Sequence, residues 1–154
     1  MDRCEECGRP LKSVESMVRG VGPVCAQKIG RRISEAKTVV GRIKDPQLRR
    51  SKELEIAVAE HVGDKIVMFN QKFGINGEDG EIDVATKTVI IEVTIEPRGK
   101  FTQTTIRFRN PPLNTTRKSV VLYAPKYKLT PKKAVCHKGV RHATNFTELD
   151  AARQ

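Results

Sequence analysis

Tryptophan is absent from this chain, and aromatic residues make up only 5% of its 154 positions. Proteins that bind single-stranded nucleic acid by stacking rely on aromatic faces, so this composition argues against such a platform. No uncharged apolar run approaches the roughly 20 residues a bilayer span needs, and no membrane-spanning helix is expected. The opening Met1-Asp2-Arg3-Cys4 has no apolar core of the secretory-signal type, so a cytoplasmic location is expected. Hydrophobic residues reach only 38%, below the usual globular share. At this length one ordinary domain with a small satellite is expected, rather than a large multidomain enzyme.

Cysteine is scarce too, with four residues at positions 4, 7, 25 and 136. Three crowd the first 25 positions, which argues against a disulfide framework and for reduced thiols, some of them on a metal.

Positive charge is what the chain has in surplus. Lys and Arg total 29 against 18 Asp and Glu, a formal net charge of +11. A surplus of that size favours a polyanionic partner, with nucleic acid the default and an anionic membrane surface behind it. DNA is expected as the partner ahead of RNA. No basic amphipathic helix or lipidation motif supports a membrane partner. A homodimer is left open.

Three zones follow. Residues 1–30 are punctuated by Cys and Gly and too poor in large apolar residues to fold without a staple. Residues 31–50 form a basic connector of net charge +5, with Ile33, Val40 and Ile43 at rough helical spacing and Pro46 as the helix end. Residues 51–154 hold nearly all the core-forming material. Ser51 as N-cap and Gly63 as terminator bound a helix over 51–62. Strands are expected over Lys65–Phe69, Glu81–Ala85, Thr88–Ile95 and Ser119–Tyr123, with turn chemistry at Asn76-Gly77-Glu78-Asp79-Gly80. Helices are expected over 100–109, from Pro131 to Gly139, and from a cap at Thr147. The fold class is therefore α/β, a sheet of four or five strands flanked by helices, with a small N-terminal metal-binding segment.

Asp83 and Glu92 are the sharpest local feature. Each is a carboxylate among β-branched residues on an expected strand, which costs free energy unless it is paired or bound to a cation. A tight turn joining the two strands brings both acids to one hairpin, where a hard divalent ion such as Mg²⁺ or Mn²⁺ relieves their repulsion. The alternative is that both simply face outward on a half-exposed sheet.

The layout Gly80-Glu81-Ile82-Asp83-Val84, then Val89-Ile90-Ile91-Glu92-Val93-Thr94, resembles the PD-(D/E)XK, or restriction-endonuclease-like, nuclease superfamily, closest to its bacterial toxin-type domains. A leading helix with Glu55, the segment Gly99-Lys100-Phe101-Thr102-Gln103 and the strand before Pro125 belong to the same resemblance, which spans about 51–150. It implies metal-dependent hydrolysis of phosphodiester bonds. Asp83 and Glu92 would hold Mg²⁺, Glu55 would be a further acid, and Gln103 would steady the site. The superfamily's lysine, two residues after the Glu, is Thr94 here. Lys100 would replace it, as in toxin-like relatives with the same EVT…GK arrangement. If Lys100 faces solvent instead, the resemblance implies a non-catalytic nucleic-acid-binding protein on a degenerate nuclease fold.

In the first zone, Cys4-Glu5-Glu6-Cys7-Gly8 is a knuckle that places two thiolates on one metal. Cys25 follows Gly22-Pro23-Val24 where a helix begins, a position that lowers a thiol's pKa. The run CxxCGRPL…RGVGPVC resembles a small treble-clef-like zinc finger of the actinobacterial and phage type, which implies Zn²⁺ on Cys4, Cys7 and Cys25 and a role in substrate binding. Lys28 occupies the place of a fourth ligand, leaving a His, Cys136, Ser16 or a water to complete the site.

Overall fold

Two prolines set the long helices. Pro23 and Pro46 each open one, where a missing N–H costs nothing and the fixed φ suits the first turn. The computed structural model describes residues 2–75, 78–95, 118–125 and 140–154. It divides into two compact units, Met1–Lys87 and Thr88–Gln154.

In the first unit, α1 (Val14–Arg19) starts at Ser13, whose side chain accepts the Ser16 N–H, and stops at Gly20. Helix α2 (Pro23–Val40) follows after Val21 and Gly22. It runs straight through residue 30, so the Cys-bearing segment and the first half of the basic connector share one helix. The expected stop at Pro46 is instead a start: Asp45 caps α3 (Pro46–Val62) by accepting the N–H groups of Gln47 and Leu48. Ser51 therefore lies inside the helix. A proline cannot continue a helix from its N-terminal side, but it fits the first position well, and the carboxylate before it decides between the two.

A 3₁₀ turn, Gly63–Lys65, leads into β1 (Ile66–Ile75), which pairs antiparallel with β2 (Glu78–Thr86). Both strands are longer than the sequence pattern gave. Glu78, Asp79 and Gly80, expected in a turn, belong to β2; Asn76 and Gly77 lie outside the described residues. The core under α3 is built from Ile56, Val58, Ala59 and Val62 on the helix, with Ile66, Val67, Phe69, Ile82, Val84 and Ala85 buried on the strands.

The second unit contains β3 (Val89–Val93), β4 (Ser119–Tyr123) and β5 (Val140–Ala143), all parallel. Strand β4 pairs on both edges, and its Val120, Val121 and Leu122 are at most 2% exposed. A continuous apolar run is what a strand covered on both faces requires. Strand β5 was not expected, since Val140-Arg141-His142-Ala143 carries only two apolar positions of its four. Helix α4 (Phe146–Ala152) is capped by Asn145, not Thr147, and buries Leu149; the Phe146 ring stacks on Tyr123 with centroids 5.7 Å apart. The helices expected over 100–109 and before Gly139 lie outside the described residues.

The protein is thus mixed α/β. Its five described strands pair antiparallel in the first unit and parallel in the second.

Candidate functional site

Two groups of potential metal ligands form in the first unit. The first grows from the inner face of α3. Glu55 shares a helical stripe with Ala59 and Val62, so packing those apolar neighbours turns its carboxyl inward, and it is only 6% exposed. On β2, Glu81 and Asp83 alternate with Ile82 and Val84 and so face the same side of the strand. Carboxyl oxygens of Glu55, Glu81 and Asp83 lie within 4.8 Å of one another. Oxygens sharing one Mg²⁺ are at most about 4.2 Å apart, twice a metal–oxygen bond, so a small rotamer adjustment closes the group on one ion.

Two donors hold the acids in place. Lys52, one turn before Glu55, sets its Nζ 3.1 Å from Glu55 Oε2 and 3.3 Å from Glu81 Oε1. Asn70 on β1, with its amide nitrogen turned toward the acids, donates to Glu81 Oε1 at 2.8 Å and to Glu55 Oε2 at 3.2 Å. The opposite orientation would set amide oxygen against carboxylate oxygen. The register that pairs Phe69 with Val84 and Gln71 with Ile82 brackets Asn70 and Asp83 between them.

Burial pushes the Glu55 carboxyl up to about 8, and the neighbouring Asp83 charge pushes the same way against the pull of Lys52. The Lys52 ammonium is lowered by burial, but the charges of Glu55 and Glu81 outweigh that and raise it. Oxygen donors of this number and charge suit Mg²⁺ or Mn²⁺.

Among the expected site residues, Glu55 and Asp83 meet here. Glu53 and Glu60, its competitors on α3, are half-exposed and pair with Arg49 and Lys37. Glu81 stood inside the quoted motif without a role, although its position two residues before Asp83 on a strand was the available signal. Glu92 is 2% exposed on β3 of the second unit, with Thr94 buried two residues on. Lys100 and Gln103 lie outside the described residues.

The second group is made by the N-terminal knuckle. Cys4 N–H donates to Arg9 O and Gly8 N–H to Cys4 O, both at 2.8 Å, which folds Cys4 and Cys7 into a tight turn. Gly8 supplies the left-handed residue at φ 76°. Helix α2 delivers Cys25 from its first turn, and the three Sγ atoms lie within 4.8 Å of one another. Sulfurs around a tetrahedral Zn²⁺ are about 3.8 Å apart for Zn–S bonds of about 2.3 Å, so this donor set fits zinc.

Burial acts to raise the Cys4 thiol, but backbone hydrogen bonds at Gly22, Cys7 and Glu6 outweigh it and bring the thiol down to about 7. Cys25 goes the other way. Its place at a helix start was expected to lower its pKa, yet burial, together with the neighbouring Cys7 and Cys4, pushes it up to about 12. A site of this kind gives up protons when it takes a metal. Among the described residues no fourth Cys, His, Asp or Glu joins the group. Ser16 is buried, but its hydroxyl is 3.0 Å from that of Ser13. Cys136 lies outside the described residues.

No helix among the described residues is long and apolar enough to cross a membrane. In comparisons with known proteins, no curated protein and no solved structure matches the chain. Residues 2–30, the segment that carries all three clustered cysteines, match the model of DUF6011, a family of unknown function.

Proposed function

We propose that the protein is a Mg²⁺- or Mn²⁺-dependent endonuclease on a restriction-endonuclease-like fold, with a zinc-binding N-terminal segment that helps hold nucleic acid. The observation that carries this reading is the convergence of Glu55, Glu81 and Asp83 from a helix and a strand onto one point. These three side chains would hold the ion. A bound divalent ion would polarise the scissile phosphate and lower the pKa of an attacking water. Lys52 and Asn70 keep the carboxyls aimed at the point of convergence. The basic surplus of the chain supplies attraction for the backbone phosphates.

Incubation of the protein with plasmid DNA and with RNA, in the presence of Mg²⁺ or Mn²⁺, tests the proposal. Cleavage by the wild type is expected, with a loss of at least about 100-fold in Asp83→Ala, the scale on which removing one essential electrostatic group acts. Equal cleavage by both proteins would sink it. The role that the resemblance implies for Glu92 is tested separately by Glu92→Gln.

A second reading has an observation of its own. Lys52 already sets its ammonium beside Glu55 and Glu81 without any metal, and Thr94 stands where the superfamily has lysine. A non-catalytic nucleic-acid-binding protein would show salt-sensitive binding, no cleavage with any ion, and indifference to Asp83→Ala.

A further inference from the structure

We infer that Cys4, Cys7 and Cys25 form a zinc site whose fourth position is exchangeable, and that this position takes a phosphate-type oxyanion held against Arg9 and Lys28. The inference stands on the cysteine group alone and does not depend on the acidic one.

Its first support is space. All three cysteines line one cavity of about 410 Å³, together with Arg9, Lys28 and Val24. That volume falls in the range of small-ligand pockets. Among the described residues three thiols and no fourth ligand meet there, and structural zinc sites ordinarily close with four. Among the described residues, the remaining vertex is left to a solvent molecule or to whatever the cavity admits.

Charge selects what enters. A Zn²⁺ ion on three thiolates carries one negative charge in excess, which would repel an anion. Arg9 and Lys28, which line the same cavity, add two positive charges and reverse the sign. Other basic residues of the first unit are already committed: Arg32 to Glu6 at 2.6 Å, Lys37 to Glu60 at 2.9 Å, and Arg19 to Glu15 at 3.3 Å. Arg9 and Lys28 are exposed, and among the described residues neither side chain makes an ion pair or a hydrogen bond. Each stands close in sequence to a ligand, Arg9 two residues after Cys7 and Lys28 three after Cys25. Guanidinium and ammonium donors beside an open metal vertex match a tetrahedral oxyanion. A free phosphate and a phosphate of a nucleic-acid backbone offer the same chemistry.

The test uses the full chain loaded with Co²⁺, whose visible bands and thiolate charge-transfer absorption report the ligand set. Inorganic phosphate and a short DNA oligonucleotide are titrated separately. The bands are expected to shift with at least one of them. A shift at oligonucleotide concentrations where phosphate has no effect assigns the backbone, and an equal response per phosphate assigns the free ion. Arg9→Ala with Lys28→Ala should weaken the anion about fivefold without lowering cobalt affinity. Cys136→Ser should leave the spectrum as it is. A spectrum unmoved by either anion, a spectrum altered by Cys136→Ser, or failure of the chain to bind Co²⁺ would each overturn the inference. Asp83→Ala should change none of these readouts, which separates this site from the proposed nuclease centre.

Discussion

Asn70 holds its amide nitrogen 2.8 Å from Glu81 Oε1 while sitting at φ 49° in the middle of β1. Asparagine tolerates the left-handed region better than most residues, yet within a strand the conformation is still strained, and such strain gathers at functional sites. The same amide reaches Glu55 Oε2 at 3.2 Å, so it supports two of the three acids. Asn70→Asp replaces a donor with a fourth carboxylate. The variant should lose about 1–3 kcal/mol of metal-free stability, the usual cost of depriving a charged group of its hydrogen bond, and should bind Mn²⁺ more tightly. Thermal unfolding with and without Mn²⁺ checks this. A variant as stable as the wild type without metal would show that the amide does not support the acids.

Glu55 gives the metal-free protein a pH dependence of definite sign. Its carboxyl titrates near 4.5 when unfolded and at about 8 in the fold, chiefly because it is buried. Below the lower value it is protonated in both states, and its contribution to stability is complete. Between the two values the unfolded chain ionises while the folded one stays neutral, so stability falls as pH rises and levels off above about 8. Glu55→Gln stays neutral throughout and should abolish that fall. Urea denaturation across this pH window, in chelator, measures it; an unchanged slope in the variant would assign the dependence to another group.

Gly20 ties the cysteine segment to the core. It ends α1 at φ 93°, accepts the Glu5 N–H at 3.0 Å, and would place an added Cβ 3.1 Å from Val67 Cγ1 and 3.3 Å from Lys87 Cβ. Val67 is fully buried and has little room to give. Gly8 shares the positive φ, at 76°, but has open space around it. Gly20→Ala should therefore cost more than Gly8→Ala, about 1–3 kcal/mol against about 1 kcal/mol. Equal losses in chemical denaturation would mean that the close approach to Val67 is relieved at no cost.

How much of this was legible in the sequence depended on whether a local signal decided the outcome. β4 was legible because an unbroken Ser-Val-Val-Leu-Tyr run fits a strand covered on both faces. The inward placement of Glu55 was legible because helical periodicity set it on the stripe of Ala59 and Val62. The start of α3 was misread because Pro46 suits both a helix end and a helix start, and only the Asp45 side chain bonding to Gln47 and Leu48 separates them. The place of Glu81 in the acidic group was missed because it depends on Lys52 and Asn70 arriving from two other elements. Cys25 was misjudged for a related reason: sequence shows the helix start, but not the burial and neighbouring thiols that outweigh it. β5 gave no signal because parallel pairing to β4, rather than its own composition, makes it a strand.

The cap of α4 provides the last test, because sequence and structure name different residues for it. Asn145 Oδ1 accepts the Glu148 N–H at 2.8 Å, while the Glu148 carboxylate accepts the Thr144 N–H at 3.1 Å and the Thr144 hydroxyl at 2.7 Å. Thr147, the cap expected from sequence, is exposed in the first turn. Asn145→Ala should cost about 1 kcal/mol, and Thr147→Ala should stay within about 0.5 kcal/mol of the wild type. The hydrogen bonds from Thr144 also lower the Glu148 pKa. The stability this residue adds is therefore present above its unfolded value and is lost as pH falls through its folded one. Glu148→Gln should remove that part of the acid limb. Thermal melts of the three variants at neutral and acidic pH separate the two caps, and a larger loss in Thr147→Ala than in Asn145→Ala would place the helix start two residues later than described.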